Sequence, residues 1–227
     1  MAGRSIDYKV LQEQAYDYIR ERIMDGTFQY NIIYSESKTA VDIGISRTPV
    51  RDAIHRLFQE GLVDIIPNKG FTLHKMTGQD VMEIYEMRSA IEGFCAFKAA
   101  ADKDSERVRK LLADMEASYL RMQQISKASG SPLEFAKEDE HFHTLLVESS
   151  ENERFTESFH AIIYQVRKLA EYALGKEGRM EETLKEHRDI LDAISAAHSK
   201  GAYAAILNHM SSPLRQNLES VYQAPRS

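Results

Sequence analysis

From Thr77 onward the chain repeats one pattern: amphipathic helical stretches separated by short breaks. Six stretches are predicted, at roughly 78–101, 104–126, 132–149, 152–174, 180–198 and 201–223. The breaks carry Asp104-Ser105, Gly130-Ser131-Pro132, Asn152, Gly175 with Gly178, and Gly201. Ser, Asp and Asn start helices by accepting hydrogen bonds from free N–H groups, and Gly ends them. Helices of this length and amphipathicity cannot bury an apolar stripe alone, so an antiparallel bundle with room for a site at its centre is expected.

The first 76 residues read differently. LQEQAYDYIRERIMDG has helical spacing at Leu11, Ala15, Tyr18, Ile19 and Ile23, with Gly26 as a stop. SESKTAVD (35–42) is a short helix, and Gly44 makes a tight turn after it. A further helix runs from Ser46 to about Glu60, with Val50, Ala53, Ile54, Leu57 and Phe58 on its predicted buried face. LVDIIPNKGFTLHK then reads as two strands around Pro67-Asn68-Lys69-Gly70. This order is that of a winged helix-turn-helix. The fold class is therefore mainly α, a winged helix-turn-helix (1–76) followed by an all-α antiparallel bundle of about six helices (77–227).

Within GISRTPVRDAI, Arg47 and Arg51 stand one turn apart on the face opposite the apolar residues, with Thr48 beside them. Pro49 falls in the first turn, where its missing N–H breaks no helical bond, and Ser46 stands where it can cap the helix. Two surface arginines alone usually mean only a solvated face. At the start of the second helix of a helix-turn-helix, they face the DNA major groove. Arginine suits both tasks there, pairing with guanine in a bidentate manner and with phosphate by charge. The net charge of −6 does not oppose this. Residues 1–76 hold 10 Lys+Arg and 10 Asp+Glu, whereas residues 77–227 hold 19 and 25, so the acidity lies entirely in the second part.

KEDEHFHTLLVESSENERF places Asp139 and His143 four apart, on one face of a predicted helix. His141 points elsewhere, and His187 and His209 sit within later helices. A histidine near an apolar face is more often hydrogen-bonded core than a ligand. A buried Asp139 without a partner would be costly, however, and one Asp with three His suits Zn²⁺, Ni²⁺ or a similar ion. By spacing, Arg88 can form a surface ion pair with Glu92 at i+4. Asn152 is expected to cap the next helix, and Met76, Met82, Met87, Met115 and Met122 to pack. Cys95 is the only cysteine, the start MAGRSIDYKV lacks the apolar run of a signal peptide, and no apolar run is long enough to span a membrane. A cytoplasmic protein without a membrane partner is expected.

The residues Glu36, Ala40, Ile43-Gly44-Ile45, SRTPVRDAI, LFQEGLV and PNKGF resemble the DNA-binding domain of the GntR family of bacterial transcription regulators. The helical remainder resembles the ligand domain of its FadR-type (FCD) branch. The resemblance implies DNA contacts from Arg47, Thr48 and Arg51, from the wing residues Lys69 and Gly70, and a neutral phosphate hydrogen bond from Ser37. Two positions depart from the family pattern: Gln29-Tyr30-Asn31 where Pro-Gly is usual, and Thr39 where leucine is usual. Both concern scaffold packing. In metal-binding FCD domains an Asp-x-x-x-His pair and single histidines on two later helices hold the ion, which implies Asp139, His143, His187 and His209. Arg88 matches the arginine that faces the pocket and binds a carboxylate. The implied protein is a homodimeric, metabolite-responsive repressor that reads a palindromic double-stranded operator and senses a small carboxylate through a divalent metal. A regulator answering to metal alone, a purely structural metal, and a metal-dependent enzyme are the alternatives.

Overall fold

A computed structural model describes residues 3–223, with side chains from Tyr8 to Val221. The chain divides into two compact units, Met1–Lys75 and Met76–Ser227.

The first unit contains α1 (Gly3–Met24), α2 (Glu36–Ile43), α3 (Arg47–Gln59), β1 (Val63–Ile66) and β2 (Gly70–Leu73). Ala15, Ile19 and Ile23 of α1 meet Val50, Ala53, Ile54 and Leu57 of α3 in a core closed by Val63, Phe71 and Leu73. α2 stops at Gly44, whose left-handed backbone (φ +79°) lets its N–H and that of Ile45 reach back to Ala40 O, both at 3.0 Å. That turn leads directly into α3, which begins at Arg47. Ser46 has the extended backbone of an N-cap but makes no side-chain capping bond, contrary to expectation. Phe58, predicted on the buried face, is 48% exposed. Leu57 fills the core at that level, and the next residue lies about 100° further round the helix.

β1 and β2 pair antiparallel, with Val63 opposite Leu73 and Ile66 opposite Gly70. Tyr34 adds a third rung: its N–H donates to Phe71 O at 2.8 Å, and Phe71 N–H donates to Tyr34 O at 3.0 Å. The rings of Phe28 and Tyr34 stack at 4.0 Å beside Phe71.

The second unit is all helical: α4 (Gly78–Ala101), α5 (Glu106–Lys127), α6 (Pro132–Glu148), α7 (Glu153–Ala161), α8 (Ile163–Leu174), α9 (Arg179–Ser195) and α10 (Ser199–Gln223). Thr77 with Asp80 and Ser131 with Glu134 form capping boxes, and Asn152 caps α7 through Arg154 and Phe155 N–H. The predicted helix 152–174 is in fact two. Ile162 takes φ −103°, ψ 3°, and its N–H bonds three residues back to Phe159 O. This breaks the ladder where no Gly or Pro announces it, and Phe159 and Ile163 are buried on either side. Gly201, predicted as a break, lies inside the first turn of α10. α4 packs chiefly along α10, and α5, α6, α8 and α9 complete a bundle centred on Met115, Phe135, Phe142, Ile190 and Ile206. Met115 and Met122 are core residues, whereas Met82 is exposed. No helix of the described residues is long and apolar enough to cross a membrane.

Candidate metal centre and nucleic-acid interface

Inside the second unit, Asp139 and His143 project from one face of α6. They meet His187 from the middle of α9 and His209 from α10. All four are buried, and one ligand atom from each lies within 4.8 Å of the others. His143 Nε2 is 3.1 Å from His209 Nε2 and 3.3 Å from His187 Nε2; Asp139 Oδ1 is 3.3 Å from His187 Nε2 and 3.9 Å from His143 Nε2. Bonds of about 2.0–2.1 Å from one ion to imidazole nitrogens would set neighbouring donors roughly 3.0–3.4 Å apart. His143 Nε2 already has that separation from both of the other imidazole nitrogens. Phe142 holds the His187 ring in place, stacked at 4.2 Å and 13°.

Protonation follows from the groups on the far side of each ring. His209 Nδ1 lies 2.8 Å from Glu186 Oε2, and His143 Nδ1 lies 2.5 Å from Glu92 Oε2, a close contact bent away from a linear hydrogen bond. A carboxylate at Nδ1 draws the proton there and leaves Nε2 as a lone pair. Burial holds His187 neutral, well below the usual histidine range, and the neighbouring His209 and His143 push it the same way. Burial also lowers His209, partly offset by Glu186. The Nε2 lone pairs of His143 and His209, 3.1 Å apart, repel one another unless a cation lies between them, so this donor set fits a divalent ion.

Glu92 and Glu186 are in turn held by arginines. Arg88 Nε donates to Glu92 Oε1 at 2.7 Å, with both side chains almost wholly buried. The pair anticipated as a surface contact is an interior one. Burial opposes ionisation of Glu92, but the Arg88 guanidinium and His143 hold its carboxyl down at about 2. Arg179, also buried, donates to Glu186 through Nη1 and Nη2 at 2.7 and 2.6 Å. Arg88, Arg179, Asp139, His209, Tyr85 and Thr183 line a cavity of about 20 Å³. Arg88 Nη2 has no hydrogen-bond partner among the described residues. Arg179 and Glu186 escape the sequence reading. Glu181, Glu182 and Glu186 are equally plausible surface acids until α9 is docked, and only the adjacency of Glu186 to His187 offers a hint.

In the first unit Ser37, Arg47, Thr48, Arg51 and Lys69 are all exposed, as is His55. Arg51, Thr48 and Arg47 occupy the first turns of α3, whose free N–H groups add anion affinity. Arg47 Nη2 sits 3.6 Å from Glu36 Oε2, a contact between partly exposed groups that contributes little. Arg56 is different: it stacks on Tyr16 and bonds Glu13 and Glu60, which makes it part of the scaffold. Gly70 has a packing role within the wing. It is buried at φ +136°, and a Cβ there would fall 2.0 Å from Tyr34 O. Glycine is needed here for the close pass of the Tyr34 segment, whereas the Lys69 side chain is exposed.

Residues 83–212 match the FCD domain, and residues 11–73 match the bacterial regulatory proteins of the gntR family. Over 150 residues the chain is 34% identical to an HTH-type transcriptional regulator from the TAR-I ttuE-ttuC' intergenic region of Agrobacterium vitis, spanning 65% of this chain and 85% of that one. It is 27% identical over 203 residues to the "Probable D-xylose utilization operon transcriptional repressor" of Paenarthrobacter nicotinovorans, spanning 88% and 86%. In fold it is similar to a GntR transcriptional regulator from Rhodococcus sp. RHA1, with TM-score 0.68, 23% identity, and 92% and 98% of the two chains covered.

Proposed function

Since the chain belongs to the GntR family of bacterial transcription regulators and carries an FCD domain, we propose that it is a homodimeric repressor that senses a small carboxylate through a metal centre. It is a DNA-binding transcription regulator and not an enzyme. The observation that carries the finer reading is the convergence of three imidazole nitrogens and Asp139 Oδ1 within 4.8 Å, beside a cavity bearing two arginines.

Asp139, His143, His187 and His209 hold a divalent ion, Zn²⁺ or Ni²⁺ by donor type. The ion, when bound, supplies a Lewis-acidic centre for an anionic oxygen of the effector. Arg88 receives the anion through its free Nη2, and Tyr85 and Thr183 bound the space. Occupancy favours one arrangement of the bundle, and in a dimer one spacing of the paired DNA-reading heads on a palindromic operator. Coupling of this kind is typically about 1–3 kcal/mol. Arg47, Thr48 and Arg51 read the major groove, with Lys69 and Ser37 at the flanking phosphates.

A second reading has one observation in its favour. The cavity of about 20 Å³ has room for little more than a water molecule, as expected if metal alone is sensed or the metal is structural. Thermal-shift titration separates the two. Carboxylates that raise the melting temperature of metal-loaded protein and release it from a selected DNA duplex support the effector reading. A response to metal only, with none to any carboxylate, overturns it.

A further inference from the structure

Two lines of contacts run from one cavity to the same cluster of nitrogens. On one side Arg88 bonds Glu92 at 2.7 Å, and Glu92 reaches His143 Nδ1 at 2.5 Å. On the other, Arg179 grips both oxygens of Glu186, which meets His209 Nδ1 at 2.8 Å. Both arginines line the cavity, and both are at most 3% exposed. The third histidine, His187, has no carboxylate at its Nδ1, which is without a hydrogen-bond partner among the described residues. The cluster is therefore asymmetric: an Arg-bound glutamate stands at Nδ1 of two imidazoles, hydrogen-bonded at His209 and in a bent close contact at His143, while His187 has none there and stacks on Phe142.

We propose that Arg88–Glu92 and Arg179–Glu186 are positioning pairs that transmit the presence of an anion, admitted as the cavity widens, to the metal centre. This rests on the metal reading of the preceding subsection. A glutamate shared between a guanidinium and an imidazole N–H gives part of its charge to each. An anion that engages the guanidinium relaxes its hold on the glutamate, which then bears more fully on the imidazole N–H. The opposite nitrogen becomes a stronger donor, so anion and metal tighten each other's binding. The two sides contribute unequally. Arg88 has an uncommitted Nη2 for the anion, whereas both Nη atoms of Arg179 are already engaged by Glu186.

The test uses Co²⁺ and acetate as probes on the full-length protein in chloride-free buffer. Co²⁺ affinity is read by chelator competition and its coordination by the visible absorption of the bound ion. In the wild type, acetate is expected to lower the Co²⁺ dissociation constant. E186Q is expected to weaken Co²⁺ by roughly 10–100-fold. It should at the same time strengthen acetate binding to the metal-free protein, because Arg179 is freed from its carboxylate. A merely structural role for Glu186 would not move these two affinities in opposite directions. Should E186Q fail to fold by circular dichroism, E186D keeps the charge, draws it back from His209 Nδ1, and should show the same metal weakening. Co²⁺ affinity within twofold of wild type in the folded variant, or wild-type Co²⁺ affinity indifferent to acetate, overturns the transmission while leaving the metal centre standing. A wild-type protein that takes up no Co²⁺ overturns both.

Discussion

Replacing Gly70 with alanine is expected to damage the wing from inside rather than remove a DNA contact. The added Cβ would lie 2.0 Å from Tyr34 O, 2.9 Å from Tyr34 C and 3.2 Å from Ser35 Cα, all backbone atoms that no side-chain rotation can clear. At φ +136° the backbone is also one that alanine adopts only under strain, costing about 1–3 kcal/mol. Relief requires the Tyr34 segment to move off, which breaks its two bonds with Phe71, of 2.8 and 3.0 Å. Those bonds are each worth about 0.5–1.5 kcal/mol net. Together the local cost is about 2–6 kcal/mol, so the Tyr34 and Phe71 amides should exchange with solvent roughly thirtyfold to twenty-five-thousandfold faster. Hydrogen exchange on the full-length protein reads this directly. Lys69→Ala is the control: its side chain is exposed, so it should lower DNA affinity and leave both amides protected. Wild-type exchange at Tyr34 and Phe71 in G70A, combined with weakened DNA binding, would refute the packing argument and return Gly70 to the interface.

Three further outcomes are expected. Arg51→Ala should cost about 1–3 kcal/mol of specific DNA binding by fluorescence anisotropy, with relaxed base preference; because Arg51 is exposed, thermal stability should not change, and unaltered affinity and preference would sink the recognition-helix assignment. His143→Ala should leave no stoichiometric metal by elemental analysis and abolish metal-induced stabilisation, which at a free metal concentration of 100 Kd is about 2.7 kcal/mol; full metal retention would contradict the assignment. Glu92 titrates at about 2 in the folded chain against its ordinary 4.5. The unfolded chain therefore binds the extra proton, and the stabilisation, about 3 kcal/mol, is complete above pH 4.5 and lost as pH falls towards 2. In urea titrations of metal-free protein E92Q should lose less stability than wild type across that window, and parallel curves for the two proteins would contradict this.

Much of the architecture is local and so was legible in one dimension. Helical spacing at Ala15, Ile19 and Ile23, the tight turn at Gly44, the break at Gly130-Ser131-Pro132 and the cap at Asn152 depend on residues within a few positions of each other. The same holds for Asp139 and His143, which any α-helix brings to one face. The failures share a cause in packing. Phe58 continues the apolar period of α3, but Leu57 already fills the core at its level. Ile162 has nothing in its identity to mark a break; the ladder yields there between two buried apolar residues, Phe159 and Ile163.

By itself, then, the sequence determined which segments are helical, most of their ends though not the break at Ile162, and which side chains of α6 share a face, because backbone hydrogen bonding and side-chain periodicity act over one or two turns. Only the tertiary structure decided that His187 and His209 meet the α6 pair at 3.1–3.3 Å, that Glu92 and Glu186 rather than nearby acids stand behind two of the rings, and that Gly70 serves a close backbone pass. Those contacts join residues up to 66 positions apart, as in His143 and His209. Their geometry depends on how whole helices dock, and that is set by the sum of many apolar contacts rather than by any local pattern.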